Sequence, residues 1–425
     1  MLRKLKSLFG TRSVVRLGWH HAKSYFAMCR YGFPAKNLQI IGVTGTDGKT
    51  TTVGMITHIL RKKDISVGAL STAFKKINDE TEWNETEKTS PSPFYIQEFL
   101  RRLVREGCTH AVIEYSSHGL VQGRTNFTNP CVAGITNTAM EHLDYHGTMK
   151  QYRKDKSILF KKVRGFGLKV INMDDDIYEL LERIPTRKSI TYSVKNNSAD
   201  LYAYDINTKV KSTKAVIKSG HDTYGLELPI PGEYNVENAL CAIGCCDEAG
   251  VSVGDAIVAL RTFENAAGRL QSVEVGQSFS VFIDFTVTPQ AFEKTLQTLR
   301  NIVGSDKRIL VMTGSCGDRM KEKRPIVGKI CSELADVVVI TDEEAYTEDP
   351  LAIIEEVWSG VDQSSCDAHK IPDRREAIAK VFSLAKDGDA VLLCGLGSYP
   401  SRVMNEGMID WDEKAIAEEL LQKIL

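Results

Sequence analysis

Apolar and polar positions alternate along this chain in a way that predicts parallel sheets covered by helices. Apolar runs rich in β-branched residues predict strands at Gln39–Thr44, Thr109–Glu114, Cys131–Asn137, Leu168–Asn172, Arg308–Gly314, Asp336–Thr341 and Asp389–Gly395. Between the earlier strands, helical spacing predicts helices such as Lys49–Lys62 and Ser92–Arg105. This alternation is typical of parallel sheets that are buried on both faces. The predicted fold class is therefore α/β.

Two breaks in the alternation predict the domain organisation. Between Ile190 and Glu227 the pattern becomes interrupted by polar residues, which predicts antiparallel strands, and "PIPGEYNVENAL" then predicts a turn and a helix. A polar joint at Asn265–Val273 precedes a second α/β series. Because one core serves at most roughly 250–300 residues, we predict three parts. They are a short basic helical segment at 1–38, a central parallel-sheet domain at 39–267, in which "GTDGKTTT" (residues 45–52) indicates a P-loop that binds ATP, and a smaller Rossmann-like α/β domain at 268–425.

Composition predicts a cytoplasmic protein. Apolar runs such as Asp389–Gly395 are far shorter than the roughly 20 residues that a membrane span needs, and the N-terminus lacks the apolar core of a signal peptide. The 10 cysteines include no C-x-x-C pair, which disfavours a disulfide framework or a zinc ribbon. We expect a monomer without a nucleic-acid partner.

The N-terminal segment is basic although the whole chain carries a net charge of −1. Apolar residues recur at helical spacing in Met1–Phe9, which indicates an amphipathic helix that contacts an anionic lipid surface. The alternative interpretation is a helical strap that packs on the neighbouring domain with its basic face in water. No Asp or Glu occurs in the first 46 residues, and the basic residues there are Arg3, Lys4, Lys6, Arg12, Arg16, Lys23, Arg30 and Lys36.

The stretch "IIGVTGTDGKTTT", residues 40–52, has the features of a phosphate-binding loop. Lys49 follows Gly48 and precedes Thr50, between a predicted strand and a predicted helix. Backbone amides at such a helix start can hold phosphate oxygens, the lysine can neutralise them, and the threonine hydroxyl can reach Mg²⁺. The strict G-x-x-x-x-G-K-[ST] spacing fails because Val43 occupies the first glycine position. A glycine-rich turn required only by sheet geometry is the alternative.

A second group of polar residues follows the next predicted strands. Glu114 ends one strand and His142 lies just beyond another, at the edge where open α/β sheets bind ligands. A carboxylate and an imidazole there can hold a divalent cation. Lys156 would repel that cation unless CO₂ carbamylates it to an anionic oxygen ligand. His118 and His146 are equally well interpreted as structural, hydrogen-bonded histidines.

Eight motifs occur in an order that resembles the Mur ligase family, most closely its MurE-type tripeptide synthetases. They are "GVTGTDGKTTT", "EYSSHGLVQGR", "TNTAMEHLDYHGT", "YRKDKSILF", "PGEYNVENAL", "GRLQSV", "DFTVTP" and "GSCGDRMKEKRP". The resemblance extends from about Gln39 to the C-terminus and implies ATP-dependent amide-bond formation. An acceptor carboxylate would attack the γ-phosphate of ATP to give an acyl phosphate, from which the amine of an amino acid displaces phosphate.

The resemblance also implies roles for individual residues. Phosphates and Mg²⁺ would be held by Thr46, Gly48, Lys49, Thr50 and Thr51. The remaining nucleotide contacts would come from Asn137, Asn238, Arg269 and Asp284. Metal ligands would be Thr50, Glu114, His142 and a carbamylated Lys156, so that Lys49, Glu114, His142 and Lys156 form the catalytic set. The muramoyl-peptide substrate would be bound by Thr89, Ser90, Ser116, Gln122 and Arg124.

Two departures from the family concern the substrates. MurE-type enzymes carry a UDP-binding domain of about 90 residues before the loop, whereas fewer than 40 residues precede the loop here. The group attached to the acceptor is therefore left open at this point: it is UDP, a lipid or neither. In the amino-acid site, "EEAY" (Glu343–Tyr346) replaces D-N-P-R and "GLGSY" (Gly395–Tyr399) replaces G-K-G-H-E. A phenol cannot clamp a carboxylate as a guanidinium does. Diaminopimelate is therefore not the expected substrate: either another, less charged amino acid is added, or this domain has partly lost its function. Val287 replaces a family histidine, and substrate contacts are expected at Glu344, Tyr346, Leu396 and Tyr399.

The leading hypothesis is an ATP- and Mg²⁺-dependent ligase that adds an amino acid to a muramoyl peptide during peptidoglycan precursor synthesis. The first alternative is a Mur-like nucleotide-binding protein without ligase activity that acts as a regulatory or scaffolding partner. A ligase for a folate-type or polyamino-acid acceptor is a third hypothesis. The missing Cys pairs disfavour the zinc-containing amidating relatives.

Overall fold

The computed structural model describes residues 12–86, 88–163 and 165–425. It comprises two compact units. The first consists of the chain up to Thr138 with Tyr145–Asn207 and Ser212–Glu264, and the second of Ala139–Asp144, Thr208–Lys211 and Asn265–Leu425. The division at 1–38, 39–267 and 268–425 stays a prediction. The predicted helix Met1–Phe9 lies outside the described residues.

A sheet of eleven strands runs through the described part of the first unit. The strands are β1 (Gln39–Thr44), β2 (Val67–Leu70), β3 (Phe74–Ile77), β4 (Glu80–Trp83), β5 (His110–Glu114), β6 (Val132–Ile135), β7 (Leu168–Asn172), β8 (Lys188–Ser193), β9 (Leu201–Lys209), β10 (Ser212–Ser219) and β11 (Asp222–Leu228). Their order is β11-β10-β9-β8-β7-β6-β1-β5-β2-β3-β4. The strands from β9 to β2 pair in parallel, which brings the carboxyl ends of β1, β5 and β6 to one edge.

Helices cover both faces of this sheet. They are α1 (Val14–Tyr31), α2 (Lys49–Lys62), α3 (Pro93–Arg105), α4 (Ser117–Val121), α5 (Leu143–His146), α6 (Met149–Lys156), α7 (Ile158–Lys162), α8 (Tyr178–Glu182), α9 (Glu233–Cys246) and α10 (Val253–Leu260), with a 3₁₀ turn at Pro34–Asn37. Leu100 of α3 and Phe160 of α7 belong to one core cluster with Ile40 of β1. On the other face, a Cβ at Gly134 would lie 2.6 Å from the Cys245 sulfur, so glycine permits α9 to approach the sheet closely.

The second unit is built on a sheet of order β12-β13-β17-β14-β15-β16. Its strands are β12 (Gln271–Ser272), β13 (Ser280–Asp284), β14 (Ile309–Thr313), β15 (Val337–Ile340), β16 (Asp367–Lys370) and β17 (Ala390–Cys394), and a separate hairpin contains β18 (Ser401–Met404) and β19 (Gly407–Asp410). The helices are α11 (Pro289–Val303), α12 (Lys323–Leu334), α13 (Pro350–Trp358), α14 (Arg374–Leu384) and α15 (Glu413–Gln422). Apart from β12, the six-stranded sheet pairs in parallel, as predicted for a Rossmann-like domain.

The α/β prediction is confirmed, with two corrections. Each predicted strand overlaps an observed one, and the helix Lys49–Lys62 has the predicted bounds. The antiparallel prediction for 190–227 is right for the pair β10 and β11, but β8 pairs in parallel with β7 and β9 pairs in parallel with β8, so both extend the same sheet. The strands β3 and β4 were not predicted, because they are short, polar and half exposed and so lack an apolar run. Within the described residues, no helix has the length and apolarity that crossing a membrane requires.

Candidate active site

The loop between β1 and α2 has a backbone that requires glycine. Gly48 has φ +78°, and a Cβ there would lie 2.2 Å from Oδ1 of Asn238 on α9. Gly45 has φ +150°, and its Cβ would lie 1.9 Å from Oγ1 of Thr136. The helix therefore begins at a residue without a side chain to cap its first amides. Such a helix start suits phosphate oxygens.

Three side chains meet at the carboxyl end of β5. The Lys49 ammonium donates a hydrogen bond to the Thr46 carbonyl at 2.7 Å and lies 3.9 Å from Oε1 of Glu114. The Thr50 hydroxyl donates to Oε2 of Glu114 at 3.0 Å. Because Glu114 is only 1% exposed, its charge is shielded from water and interacts strongly with these groups.

Thr72, which the sequence analysis missed, also holds Glu114. Its backbone N–H donates to Oε2 at 2.9 Å and its hydroxyl to Oε1 at 3.2 Å. Thr72 follows β2, the strand that pairs in parallel with β5, so it lies at the same sheet edge as Glu114. The polar residues Ser71 and Thr72 in "STAF" could have indicated a site at this strand end, but β2 itself had not been predicted.

Asn137 and Asn238 lie on either side of the loop. The Asn137 side chain accepts from the backbone N–H of Asp47 at 3.0 Å and donates to the Asp47 carbonyl at 3.2 Å. Asn238 donates through Nδ2 to Asn235 at 3.1 Å and accepts from the Thr52 hydroxyl at 3.4 Å. Asn137 therefore orients the loop backbone at Asp47, whereas Asn238 lies against Gly48 and contacts the first turn of α2 through Thr52.

Lys156 ends α6 beneath the same loop. Its Nζ donates to the Gly45 carbonyl at 2.5 Å and lies 4.4 Å from the centroid of the Tyr152 ring, whose hydroxyl is 3.0 Å from the Thr46 hydroxyl. The residue is 1% exposed. Burial, and next the positive charge of Lys49, hold the pKa of the Lys156 amine well below its usual range. The neutral amine, which is the form that reacts with CO₂, is therefore favoured.

The predicted metal ligands come from both units. Thr50, Glu114 and Lys156 belong to the first unit, whereas His142 belongs to the second, where it has φ +58° and lies 3.9 Å from a carboxylate oxygen of Glu141. No group of three or more His, Cys, Asp or Glu side chains with metal-binding geometry occurs in the described ranges. Hydroxyl and carboxylate oxygens are the ligands that Mg²⁺ prefers, so Thr50 and Glu114 suit this ion. The role of His142 stays a prediction.

His146 has a buried hydrogen bond at each ring nitrogen. Nδ1 lies 2.6 Å from Oδ2 of Asp155, and Nε2 lies 3.0 Å from the Ser117 hydroxyl. Arg12 holds the same carboxylate by two hydrogen bonds, of 2.6 and 3.0 Å. Burial alone would raise the pKa of Asp155, but the hydrogen bonds from His146 and Arg12 lower it to about 2. This network fixes the helix turn that carries Lys156. The ring of His118, the other candidate structural histidine, lies 4.2 Å from that of Tyr145.

The ion pair of Asp155 is expected to contribute measurably to stability. Asp155→Asn removes the charge that faces Arg12 and His146, and should lower the free energy of unfolding by about 1–3 kcal/mol. The matched control is Asp176→Asn, because Asp176 pairs with Arg153 at 2.5 Å but has a 76% exposed side chain. The control should cost no more than about 0.5 kcal/mol. Urea unfolding of both variants measures the difference in the free energy of unfolding. Equal losses in the two variants would contradict a stabilising role for the ion pair of Asp155.

The predicted acceptor residues form one connected group in the first unit. Arg124 donates to the Ser90 carbonyl at 2.6 Å and to Oε1 of Gln122 at 2.9 Å. The Ser90 hydroxyl accepts from the backbone N–H of Ser116 at 3.0 Å. The Thr89 hydroxyl lies 2.7 Å from that of Thr72, which contacts Glu114. The group therefore borders the carboxylate at the phosphate loop.

Arg269 and Asp284 are neighbours in the second unit. Asp284 ends β13 and accepts from the backbone N–H of Leu270 at 2.6 Å and from the Thr286 hydroxyl. The Arg269 guanidinium lies 4.5 Å from the centroid of the Phe285 ring. Their proposed contacts with nucleotide stay a prediction.

The residues that replace the family's amino-acid motifs are also close together. The Tyr346 hydroxyl donates to Oε2 of Glu344 at 3.4 Å, and Arg319 lies 5.1 Å from the centroid of the Tyr346 ring. A Cβ at Gly395 would lie 2.4 Å from Oε2 of Glu343, whose pKa burial raises to about 7. Leu396 is fully buried and Tyr399 is 9% exposed. The substrate contacts predicted for these positions are not tested by this geometry.

Comparisons with known proteins agree with the arrangement. Residues 43–246 match the Mur ligase middle domain, and residues 268–397 match the Mur ligase glutamate ligase domain. The chain is 33% identical over 408 residues to the UDP-N-acetylmuramoyl-L-alanyl-D-glutamate--2,6-diaminopimelate ligase of Geobacillus thermodenitrificans (strain NG80-2), covering 95% of this chain and 82% of the relative. It is 33% identical over 414 residues to a UDP-N-acetylmuramyl-tripeptide synthetase of Roseiflexus sp. (strain RS-1), covering 93% and 80%.

A solved structure of a UDP-N-acetylmuramoyl-L-alanyl-D-glutamate--2,6-diaminopimelate ligase superposes with a TM-score of 0.65 and 28% identity. The superposition covers 96% of this chain and 83% of that one. The two family domains match in order, and the relatives are covered over most of their length. The chain therefore belongs to the Mur ligase family of ATP-dependent ligases.

Proposed function

We propose that this Mur ligase joins an amino acid to the carboxylate of a muramoyl peptide in the synthesis of peptidoglycan precursors. The observation that carries the proposal is the contact of Lys49 and Thr50 with the buried Glu114 at the start of α2. This arrangement places the Lys49 ammonium, the Thr50 hydroxyl oxygen and the Glu114 carboxylate oxygens beside a helix N-terminus. A nucleotide triphosphate with Mg²⁺ fits such a site, since the ion neutralises phosphate charge when bound.

The reaction has two steps. An oxygen of the acceptor carboxylate attacks the γ-phosphorus of ATP, the bond to the β,γ-bridging oxygen breaks, and ADP leaves. The amine then attacks the acyl phosphate carbon, loses a proton and expels phosphate. Lys49 neutralises charge on the transferred group, and the backbone of the loop, oriented by Asn137, holds the phosphates in position.

The proposal includes carbamylation of Lys156. The neutral amine nitrogen attacks the carbon of CO₂ and loses a proton, which leaves an anionic carbamate on Nζ. Full burial beside Gly45 disfavours an ammonium at this position, and the nearby charge of Lys49 favours an anion. The carbamate would add oxygen ligands for a cation to those of Thr50 and Glu114.

For the amino acid, we propose recognition that differs from that of diaminopimelate-adding enzymes. Tyr346 stands where those enzymes have the arginine of their D-N-P-R motif. Its hydroxyl contacts Glu344 and its ring contacts Arg319, so a phenol and a carboxylate occupy the place of a carboxylate clamp. An amino acid other than diaminopimelate fits these groups better.

Phosphate release tests the function. Purified protein is given Mg-ATP and bicarbonate with UDP-MurNAc-dipeptide, or with its UDP-free form, across a panel of amino acids. We expect release that requires both an acceptor and one amino acid, with a product heavier by that residue in mass spectrometry. Reactions that lack the acceptor or the amino acid are the controls. ATP binding without turnover in every combination would refute the ligase and favour the regulatory alternative.

We also propose a cytoplasmic monomer that makes peripheral contact with membranes through its basic N-terminal segment. The support is the absence of Asp and Glu from the first 46 residues. No nucleic-acid partner is proposed.

A further inference from the structure

Helix α1 is attached to the first unit by one of its faces. Ser24, Ala27 and Met28 are buried, and the Ser24 hydroxyl donates to the Gly123 carbonyl at 2.6 Å. At the end of the helix, Arg101 of α3 donates to the Tyr31 carbonyl at 2.8 Å. These contacts fix the rotation of α1 about its axis, so they also fix which side chains point away from the unit.

The opposite face of α1 is apolar and exposed. Val15, Trp19 and Phe26 are 65%, 58% and 62% exposed. At about 100° per residue, these three positions lie within about 40° of one another and on the side opposite Ser24. Tyr25 is 53% exposed on the edge of the same face. Large apolar side chains of this kind are buried in most helices, and contiguous ones mark an interaction surface.

Basic residues border this apolar face along one side. Arg16, Lys23 and Arg30 lie about 60–100° around the helix from Val15. The Lys23 ammonium lies 5.3 Å from the centroid of the Trp19 ring, so the charge is held at the border of the apolar surface. No acidic residue occurs in α1 or before it, so the charges that α1 itself carries are all positive.

We propose that this outward face, Val15, Trp19 and Phe26 with Arg16, Lys23 and Arg30, docks on an anionic lipid surface. The apolar side chains would enter the boundary between headgroups and acyl chains while the basic side chains contact the phosphates. Aromatic residues with a cationic flank are the combination that such an interface favours. Anionic headgroups complement the basic flank of Arg16, Lys23 and Arg30, since no side chain of α1 is acidic.

This inference rests on the peripheral membrane contact proposed above and is independent of the ligase reaction. It assigns the membrane contact to α1 rather than to Met1–Phe9. It also fixes the orientation of the first unit relative to the lipid surface. Because Ser24, on the opposite side of α1, contacts Gly123, docking would hold the loop that carries Gln122 and Arg124 one helix diameter, roughly 10 Å, from the lipid surface. An acceptor with a lipid anchor would then meet its binding residues at the membrane.

Vesicle co-sedimentation of the full chain tests the assignment. We expect binding to vesicles of phosphatidylglycerol and phosphatidylcholine, weaker binding to phosphatidylcholine alone, and loss of binding as salt is raised. The double variant Trp19→Gln/Phe26→Gln should bind the anionic vesicles at least about tenfold more weakly. The matched control is Met408→Gln/Ile409→Gln on β19, which removes two apolar side chains that are 69% and 45% exposed. The control should bind as the unchanged protein does.

A second variant tests the basic flank. Arg16→Gln/Lys23→Gln/Arg30→Gln should weaken binding to anionic vesicles and reduce its dependence on salt, because fewer lipid phosphates are contacted. Since these side chains are not buried, the fold should persist, which circular dichroism and phosphate release with a soluble acceptor would verify.

Three outcomes would overturn the inference. Undiminished binding by Trp19→Gln/Phe26→Gln, with loss in Leu2→Gln/Leu5→Gln/Leu8→Gln, would move the contact to Met1–Phe9 and leave the proposed peripheral contact intact. No binding by the unchanged protein would refute both. A dimer in sedimentation velocity that disappears in Trp19→Gln/Phe26→Gln, without vesicle binding, would assign the face to a second copy of the chain.

Discussion

Lys49→Ala is expected to lower ATP-dependent phosphate release by about 100- to 1000-fold, the scale of effect when one preorganised group that stabilises developing charge is removed. The Lys49 ammonium lies 3.9 Å from Glu114 and is held at the loop by the Thr46 carbonyl. Alanine leaves the Glu114 carboxylate without this cation and leaves the transferred phosphate without neutralisation. Both effects act on the transition state.

Steady-state phosphate release with saturating acceptor and amino acid measures the effect. The matched control is Lys63→Ala, just after the end of α2, where the ammonium is half exposed and pairs with Asp255 at 3.4 Å. It should leave the rate within about twofold, as expected for a surface ion pair. A Lys49→Ala enzyme that retained a tenth of the activity would show that the loop does not act on the γ-phosphate.

Lys156→Ala is expected to lower phosphate release by about 100-fold or more, because it removes the group proposed to carry an anionic carbamate beside the loop. The side chain is buried and contacts the Gly45 carbonyl and the Tyr152 ring, so its loss changes the environment directly beneath the loop. Alanine also leaves a polar cavity, which a small carboxylate can enter.

Three measurements separate the carbamate from a plain lysine. The unchanged enzyme should lose activity in CO₂-depleted buffer and recover it with bicarbonate. The activity of Lys156→Ala should not change when bicarbonate is added, but it should recover with acetate or propionate. Lys154→Ala, an exposed residue on the same helix, should behave as the unchanged enzyme does. Equal activity of Lys156→Ala and the unchanged enzyme would remove the carbamate from the mechanism.

Local patterns in the sequence were enough to predict seven of the buried strands, the helices α2 and α3, and the position of the candidate phosphate loop. The bounds of β1 and α2 follow from an apolar run, a Gly-Lys-Thr start and helical spacing, all within 24 residues from Gln39 to Lys62. The α/β class follows from alternation, which also depends only on neighbours in the chain. The family resemblance predicted Thr50 and Glu114 as ligands of one metal site, and their side chains are in contact.

Other features depend on contacts between distant parts of the chain. Thr72 reaches Glu114 only because β2 pairs with β5, and strand order is not encoded in the periodicity of either strand. The hydrogen bonds of Arg12 to Asp155 join residues 143 positions apart. Helix α1 was not singled out by the sequence patterns, and which of its faces is buried depends on its contacts with the rest of the first unit.

The sequence by itself determined that this protein has an α/β fold with a phosphate loop, with Glu114 at the end of a strand and with Lys156 near the end of a helix, because these features depend on local spacing and residue type. The tertiary structure alone decided that Lys156 is buried against Gly45, which lowers the pKa of its amine, and that α1 turns Trp19 and Phe26 away from the unit. Burial depends on what the rest of the chain packs around a residue, and no local pattern specifies that.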